Sequence, residues 1–507
     1  MTSTFLVLAL LGLHNARMGH AQKMVGDLTP VTTFASSAMG SLKDPMAAAF
    51  LPPNGDIVYV VGGDSGTVSW FSRSTDKLSL AYEDKTSVDN ARAIATSHDG
   101  KNVYVTVKGS SKCGVWWYTV TNTATGALTY GGKLLDASGR RSDSPFSVVV
   151  SKDGANVYIP AFKDNNLQSY TRDLETGALT HMAEMSTVSL NREFDEPFAM
   201  AMSPDDKHVY VTFAGYTDKG RIGWFSRDGT DGRLVQSNTN DFFAGETSNY
   251  IDGPKSIVIS DDGYNVYVLG NKAIVHFRRD ATSGDLTFQR AYRDGQNDPE
   301  GNIIDGLGDD KSSWSDYGTG TLAISGNNIY AVSEADESVC WFEAASTTGI
   351  LTFKSILVDG ANVDEAVDIA GLRDPEFVVV SQDGKNVMTG GVSRDKTTFY
   401  TRKVPTDCTP NDSAATGTAC KCSSGSTANE CALDRYCWVD KTCNAAAKPT
   451  ACTFNDLAVT GTACKCLIDS TTNECASNRY CWVDKTCNAA AKPTACTPND
   501  FAATGTA

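Results

Sequence analysis

The sequence predicts an all-β fold, a seven-bladed β-propeller, and three observations support this prediction. A phrase, best preserved as Ser-His-Asp-Gly-Lys-Asn-Val-Tyr-Val-Thr at residues 97–106, recurs along the chain. Its Asp-Gly step supplies the positive φ angle that a tight hairpin turn needs between a hydrophobic run and an alternating run of β-branched and aromatic residues. The tyrosine position of the phrase recurs at spacings from 45 (104 − 59) to 63 (330 − 267) residues, at Tyr59, Tyr104, Tyr158, Tyr210, Tyr267, Tyr330 and Met388. A four-stranded unit with this period is typical of a propeller blade.

Two further pieces complete each unit. One is a strand with an aromatic residue at a fixed place, and the other is a Thr-Gly or Ser-Gly turn that leads into a fourth strand. Because the aromatic residues recur in all seven units, we expect them to pack in the core rather than to bind a cofactor. They are Phe71, Tyr118, Tyr170, Phe225, Phe277, Phe342 and Tyr400.

The seventh unit lacks its fourth strand, because the sequence after Tyr400 does not continue the pattern. The missing piece lies at the other end of the chain, where Gly-Asp-Leu-Thr at residues 26–29 repeats residues 284–287, the start of a fourth strand. An open ring would leave strand edges unpaired. The N-terminal strand is therefore predicted to complete the seventh blade and close the ring.

Composition divides the chain into further regions. Residues 5–13 are apolar and are followed by Gly19-His20-Ala21, whose small residues suit signal-peptide cleavage. Thirteen of the fifteen cysteines lie at or after Cys408, and such density favours an oxidising compartment. The predicted organisation is a signal peptide (1–21), a propeller (22–404), two cysteine-rich repeats (408–451 and 452–495) and the start of a truncated third (496–507).

These features predict a secreted or surface-attached protein. No other stretch is long and apolar enough to span a bilayer. The formal net charge of −16 argues against a nucleic-acid partner, which requires a basic surface.

The C-terminal region repeats almost verbatim, with a period of 44 residues (452 − 408 and 496 − 452). Its units are too short to bury a large core, so disulfide bonds are expected to replace that core. The predicted disulfide-forming residues are Cys408, Cys420, Cys422, Cys431, Cys437, Cys443, Cys452, Cys464, Cys466, Cys475, Cys481 and Cys487. Zinc is the alternative, but the pair at 420 and 422 has Cys-x-Cys spacing and no histidine follows it. Asn411 begins an N-glycosylation sequon.

The linkers between units are predicted to share one face of the propeller, and the two longest, residues 294–318 and 359–374, are rich in acidic residues. Calcium prefers several oxygen ligands, so one interpretation is a calcium site. Its candidate ligands are Asp298, Asp305, Asp309 and Asp310. The alternative is a solvated acidic surface.

The mouth of the central channel, on the same face, is the second candidate site. Aligning the first strands on Pro145, Pro197, Pro254 and Pro375 gives a set of equivalent rim positions: Arg92, Phe146, Phe198, Lys255, Gly320 and Glu376. Arg92 and Lys255 are predicted to hold an anionic sugar or lactone, and Glu376 to activate water or orient the ring. The alternative is that these three charges form ion pairs or face water. None of the six histidines lies in a long linker, which argues against a Ser-His-Asp triad or a histidine-rich zinc site.

The phrase Ser-x-Asp-Gly-x-Asn-Val-Tyr-Val, the Thr-Gly-x-Leu-Thr turn and the Asp-Gly-rich linkers resemble the lactonase-type seven-bladed propeller family over residues 26–404. That family includes six-phosphogluconolactonase-like proteins, so the resemblance implies a propeller with charged residues at the channel mouth. The cysteine-rich repeats resemble modules in surface proteins of unicellular algae.

Two functions follow from these observations. The favoured one is a secreted binding or scaffold protein whose acidic variable-loop face binds an extracellular protein or carbohydrate. The alternative is a lactone hydrolase that acts on a sugar-acid lactone at the channel mouth. The only cofactor that the residues suggest is calcium.

Overall fold

The computed structural model divides the chain into two compact units, residues 1–403 and residues 404–507. In the first unit the structure describes residues 28–35, 42–74, 77–84, 88, 90–108, 113–135, 144–186, 195–214, 220–236, 251, 253–308, 321–359, 372–393 and 395–402. In the second unit it describes six dipeptides as short strands: β29 (Thr406–Asp407), β30 (Cys420–Lys421), β31 (Tyr436–Cys437), β32 (Cys443–Asn444), β33 (Tyr480–Cys481) and β34 (Cys487–Asn488). The predicted signal peptide and Asn411 lie outside the described residues, and so do the side chains of all the predicted disulfide cysteines.

The described part of the first unit consists of seven four-stranded antiparallel sheets and contains no α-helix, which confirms the predicted seven-bladed propeller. Each blade begins at its innermost strand and adds the following strands outward.

The strands of the first three blades follow in chain order. Blade 1 consists of β2 (Pro45–Phe50), β3 (Ile57–Gly62), β4 (Val68–Ser74) and β5 (Lys77–Asp84); blade 2 of β6 (Ala91–Thr96), β7 (Asn102–Val107), β8 (Gly114–Asn122) and β9 (Ala127–Leu135); blade 3 of β10 (Val149–Val150), β11 (Asn156–Ala161), β12 (Asn166–Arg172) and β13 (Leu179–Ser186).

The remaining blades continue this order. Blade 4 consists of β14 (Pro197–Met202), β15 (His208–Phe213), β16 (Arg221–Arg227) and β17 (Leu234–Gln236); blade 5 of β18 (Ser256–Ile259), β19 (Asn265–Gly270), β20 (Ala273–Arg279) and β21 (Leu286–Arg293); blade 6 of β22 (Leu322–Ser325), β23 (Asn328–Ser333), β24 (Ser338–Ala344) and β25 (Leu351–Val358); blade 7 of β26 (Pro375–Val380), β27 (Asn386–Gly391), β28 (Lys396–Arg402) and β1 (Leu28–Ala35).

The N-terminal strand closes the ring, as the sequence predicts. Strand β1 pairs antiparallel with β28, with Leu28 opposite Arg402 and Pro30 opposite Tyr400. The outer edge of the seventh blade is thus formed by a strand that precedes the first blade in the sequence. This pairing covers an edge that would otherwise be open to other strands.

The repeated turn phrase has a local physical basis. In the second blade the Ser97 hydroxyl donates to the Asp99 carboxylate at 2.6 Å and accepts from the amide of Asn102 at 3.0 Å. Gly100 takes a φ of 68°, which a residue with a Cβ atom adopts only at a cost. The same serine–aspartate pair recurs at Ser151, Ser203, Ser260 and Ser381.

The core lies between the blades rather than inside any one of them. Each of the seven blade interfaces contains a cluster of buried apolar side chains drawn from both neighbours. The seven repeated aromatic residues are all buried, with at most 6% of the surface exposed, as predicted. Their burial stabilises the contact between blades, so the side chains that line the channel are other residues.

Arginines clasp neighbouring blades together on the face that carries the short turns. Arg172 of blade 3 donates through Nη2 to Asp99 at 2.9 Å and to Asn102 at 2.6 Å, both in blade 2. The equivalent clasps join Arg73 to Asp383, Arg227 to Asp153 and Arg279 to Asp205. This face is therefore occupied by contacts that hold the ring together.

Candidate active site in the central channel

The innermost strands surround a cavity of about 270 Å³ in the central channel. It is lined by Arg92, Phe146, Phe198, Lys255 and Glu376, which are five of the six predicted rim positions. The sixth, Gly320, lies outside the described residues. The proline alignment thus brings residues from five different blades into one cavity.

The structure adds Met46 of blade 1 to this set. The signal was present in the sequence, because Pro45 aligns with the other prolines and puts Met46 at the same rim position. Arg92 Nη1 donates to the Met46 Sδ atom at 3.7 Å, so the thioether lies directly against the guanidinium.

A β-bulge aims three of these side chains at the channel. Each of Met46, Arg92 and Glu376 is the extra residue at a register shift between the first and second strands of its blade. A bulge leaves such a residue without a cross-strand partner and reorients its side chain. The pleat of the inner strand therefore does not decide which way these three side chains point.

A residue with a left-handed backbone conformation comes two positions before each of these rim residues. Asp44, Asn90 and Asp374 have φ values of 52°, 62° and 48°. Their carbonyl oxygens accept hydrogen bonds from the chain just after the second strand of the same blade. Positive φ is uncommon outside glycine, and these hydrogen bonds hold it in place at the channel mouth.

Threonine side chains satisfy backbone groups that the bulges release. In blade 2 the Thr106 hydroxyl accepts from the amide of Ala93 at 3.1 Å and donates to the carbonyl of Pro145 in blade 3 at 3.1 Å. In blade 4 the Thr212 hydroxyl accepts from the amide of Ala199 at 3.0 Å. These hydrogen bonds satisfy backbone groups that have no partner in the strand pairing, and so they stabilise the bulges at the channel mouth.

Glu376 is the most perturbed carboxyl group in the channel. Its Oε2 atom is buried and has no hydrogen-bond partner among the described residues. Burial raises its pKa to about 8, and the negative charge of Glu334 acts in the same direction, while the positive charge of Arg92 opposes both. The carboxyl group is therefore mainly protonated at neutral pH and is able to donate a proton.

Arg92 supplies a positive charge beside this carboxyl group. Its Nε atom is buried and, like Glu376 Oε2, has no hydrogen-bond partner in the part of the chain that is described. Buried donors normally have partners, so this N–H group is an unused hydrogen-bond donor on a residue that lines the cavity. Lys255 of blade 5 adds a second cationic side chain to the cavity wall.

An aromatic wall, formed by Phe146, Phe162 and Phe198, covers the blade 3 and blade 4 side of the channel mouth. Phe146 and Phe198 stack with ring centroids 4.8 Å apart and planes at 21°. Phe162 packs edge-on against Phe146 at 5.4 Å. The sequence analysis predicted the first and third of these side chains at the rim but missed Phe162, because it follows the second strand of blade 3 in a loop that has no periodic signal.

Two of the four predicted calcium ligands, Asp298 and Asp305, lie within the described residues. The Asp298 carboxylate is buried and accepts four hydrogen bonds, from the amides of Glu300, Asn302 and Phe353 and from the Asn302 side chain, at 2.8 to 3.0 Å. Asp305 is exposed, and Asp309 and Asp310 lie outside the described residues. Within the described ranges no group of three or more His, Cys, Asp or Glu side chains is placed to hold a metal ion. Calcium binding therefore stays a prediction from sequence.

Two buried histidines contribute to the scaffold. His276 stacks on Tyr267 at 4.8 Å and hydrogen-bonds Asn265 at 3.0 Å, and burial lowers its pKa to about 4. The His208 ring hydrogen-bonds Arg279 at 2.7 Å. Neither histidine lines the channel cavity.

Comparisons with known proteins place this geometry in context. Residues 2–191 match the family model described as lactonase, 7-bladed β-propeller. No curated protein matches the chain. In the described residues no helix is long and apolar enough to cross a membrane.

Solved structures similar to this chain include the following three. A putative 6-phosphogluconolactonase from Bacteroides uniformis is 17% identical and covers 62% of this chain and 85% of its own, with a TM-score of 0.46. The periplasmic gluconolactonase of Pseudomonas aeruginosa is 18% identical with the same two coverages and a TM-score of 0.47. The β-propeller domain of Cps50 (Swd1) from Myceliophteria thermophila is 10% identical, covers 74% of this chain and 99% of its own, and has a TM-score of 0.50. At that identity the last likeness concerns the fold alone.

The seven closed blades and the match over residues 2–191 lead to one conclusion: the chain contains a seven-bladed β-propeller, and its first 191 residues are similar to the family described as lactonase, 7-bladed β-propeller.

Proposed function

We propose that this protein hydrolyses a lactone in the central channel, with Glu376 and Arg92 as the catalytic residues. The observation that carries the proposal is that both side chains line one cavity and each has a buried polar atom with no hydrogen-bond partner among the described residues. The family match supports hydrolysis over the binding protein that the sequence analysis favoured.

Glu376 acts as the proton donor in this proposal. Water adds to the lactone carbonyl carbon, and the bond between that carbon and the ring oxygen then breaks. The protonated carboxyl gives its proton to the departing ring oxygen and recovers one from the added water, so the product is a hydroxy acid and the enzyme is restored. A raised pKa keeps the donor form populated at neutral pH.

Arg92 stabilises the negative charge that develops on the carbonyl oxygen during the attack. A guanidinium in a partly buried site does this more effectively than one in water, because the surroundings screen it less. Lys255 lines the same cavity and is suited to hold the carboxylate of the product.

The test is turnover of a panel of lactones by the full chain and by two channel variants. Arg92→Ala is expected to lower kcat by roughly a hundredfold to a thousandfold, as loss of one oxyanion donor does. Glu376→Gln is expected to lower it by roughly a hundredfold to ten-thousandfold, because the amide cannot donate an acidic proton.

A matched control uses the same change outside the channel. Glu343→Gln on β24 removes the ion pair with Lys354 (3.0 Å) and should leave turnover unchanged. Wild-type protein that hydrolyses no lactone, or turnover that survives both Arg92→Ala and Glu376→Gln, would overturn the proposal.

The pH profile distinguishes the two roles open to Glu376. If it donates a proton, kcat falls as pH rises through about 8, since the donor form is lost. If it acts as a base, kcat rises over the same interval. We expect the falling limb after the spontaneous hydrolysis measured without enzyme has been subtracted.

Secretion, the cysteine-rich repeats and an extracellular protein or carbohydrate ligand for the acidic loops remain predictions from sequence. A binding role is tested by Asp305→Asn. This change removes one exposed carboxylate from the linker, and no described hydrogen bond of the Asp305 side chain is lost with it. A calcium or partner affinity lowered by this change would support binding as a second function.

A further inference from the structure

We infer that the substrate of this channel is an aromatic or similarly flat apolar lactone that carries at most one negative charge, rather than a phosphorylated sugar lactone. The inference rests on the proposed function and names its substrate class. Four features of the channel carry it: a rigid aromatic surface, the position of that surface, the scarcity of hydroxyl groups and the distribution of charge.

The aromatic wall is a fixed surface. Phe162 and Phe198 are only 4% and 5% exposed, and each packs edge-on against the other with centroids 6.1 Å apart. Phe146 is half-buried and lines the cavity, and the Lys108 ammonium lies over its ring at 5.6 Å from the centroid. Because the ring is already held by these neighbours, an apolar ligand that contacts it pays a low cost in side-chain entropy.

The wall lies across the channel from the proposed proton donor. Phe146 and Phe198 belong to blades 3 and 4, and Glu376 belongs to blade 7. In a closed ring of seven blades, blade 7 is opposite the boundary between blades 3 and 4. A lactone whose ester reaches Glu376 therefore turns the rest of its ring toward the aromatic wall.

The cavity offers few polar partners to a sugar. Twelve of its eighteen described lining residues are apolar. The three hydroxyl groups among the others, Ser147, Ser256 and Thr321, each use one acceptor site on a backbone amide from another blade, at 2.7 to 3.3 Å, and keep their own hydrogen. Most of the wall is apolar, so a sugar lactone would place several of its hydroxyl groups against surface that cannot hydrogen-bond them, which is costly.

Charge disfavours a phosphate group. Carboxylates at Asp44, Glu334 and Asp374 act on Glu376 from the blade 6, 7 and 1 side of the mouth. Asp44 itself has a raised pKa, because of burial and then of its acidic neighbours Asp64 and Asp395. The cationic side chains near the cavity lie in blades 2 and 5: Arg92 and Lys255 line it, and the Lys108 ammonium lies over the Phe146 ring at 5.6 Å. The three carboxylates around Glu376 favour a neutral or singly charged ligand at that end of the channel over a multiply charged anion.

The test compares two six-membered lactones with the full chain, dihydrocoumarin and δ-gluconolactone, and adds the 6-phosphorylated form of the latter. We expect kcat/KM for dihydrocoumarin to exceed both others by at least about tenfold, from the burial of its aromatic ring. Phe146→Ala should lower kcat/KM for dihydrocoumarin by about tenfold and leave that for δ-gluconolactone unchanged. Phe146→Leu, which keeps an apolar side chain, should lose less. Phe288→Ala, an exposed phenylalanine on the outermost strand of blade 5, is the matched control and should change neither.

More efficient turnover of either sugar lactone, or an equal loss on both substrates in Phe146→Ala, would overturn the inference. A second measurement separates it from the proposed function: calorimetric binding of the ring-opened acids, 3-(2-hydroxyphenyl)propionate, gluconate and 6-phosphogluconate, to wild-type protein. If no lactone is hydrolysed, hydrolysis fails as a function, and tighter binding of the aromatic acid still supports the inference about the channel. Equal or weaker binding of the aromatic acid overturns it.

Discussion

Replacing Glu376 with glutamine is expected to stabilise the propeller at neutral and alkaline pH while it removes the proposed proton donor. The pKa of this carboxyl is raised from 4.5 to about 8, first by burial and then by the charge of Glu334. A group whose pKa is higher in the folded state favours folding most at a pH below its unfolded pKa. That contribution is lost as pH rises through the folded pKa, here between about 4.5 and 8.

The size of the effect follows from the shift. Each pKa unit corresponds to about 1.36 kcal/mol, so a change from 4.5 to about 8 costs the wild-type fold up to about 5 kcal/mol above pH 8. Glutamine has nearly the same shape and no charge, so the variant avoids this cost. With an unfolding entropy of about 2.1 cal/mol/K per residue over roughly 400 residues, the gain corresponds to about 6 °C in Tm.

The assay is thermal or denaturant unfolding of wild-type protein and Glu376→Gln at several values between pH 4.5 and pH 8.5. The difference should be near zero at the acid end and should grow steadily toward the alkaline end. The control, Glu343→Gln, removes a partly exposed ion pair and should cost about 0–1 kcal/mol without a comparable gain. A Glu376→Gln difference that stays constant across the range would refute the reasoning, and with it the proton-donor role of Glu376.

Three further predictions concern the scaffold. Deletion of residues 22–36, which include β1, should open the ring and lower the Tm measured by circular dichroism; an unchanged cooperative transition would contradict closure. Arg172→Met should destabilise by about 1.5–3 kcal/mol in denaturant unfolding, because Asp99 and Asn102 lose the charged donor that they share, whereas Arg233→Met at an exposed ion pair should cost less than about 1 kcal/mol. If the cysteines of residues 408–507 form disulfide bonds, mass spectrometry without reductant should find at most one free thiol there. Bound zinc instead of disulfide bonds would disprove the prediction.

The fold could be predicted because each hairpin is specified locally. Ser97, Asp99 and Gly100 close their turn within six residues, and the same chemistry recurs around the ring. Ring closure was also predictable, since residues 26–29 repeat a phrase that starts the fourth strand elsewhere. In both cases the signal is a short phrase, and its residues form the same turn or strand wherever the phrase occurs.

Two features of the molecule were missed although the sequence contains their signal. The four clasping arginines, Arg73, Arg172, Arg227 and Arg279, stand two residues after the repeated aromatic of their units. Arg402 has the same position in blade 7 and donates to the Gly384 carbonyl of its own blade. In blade 6 that position is Ala344, and Asn265 of blade 5 is bonded instead by His276 and Arg278 of its own blade. Met46 likewise follows an aligned proline and was left out of the rim.

Other properties of the site depend on tertiary structure and have no local signal. Glu376 points into the channel because of a register shift, and a register shift is a property of two paired strands. Its raised pKa depends on burial and on Glu334, which belongs to another blade. Likewise, Phe162 reaches the aromatic wall from a loop between two strands.

The two faces of the ring differ in how strictly the repeats keep the same residue at equivalent positions. On the short-turn face, equivalent positions keep equivalent residues, because each blade needs the same clasp to its neighbour. At the channel mouth the backbone device is also repeated, with a left-handed residue, then proline or alanine, then a bulge. The side chain at the aligned rim position nevertheless differs from blade to blade: methionine, arginine, two phenylalanines, lysine and glutamate. A symmetric ring could carry the same one of these residues at the rim position of every blade. The single asymmetric ligand that we propose, with an apolar ring at one end and an ester at the other, needs a different side chain at each end of the channel.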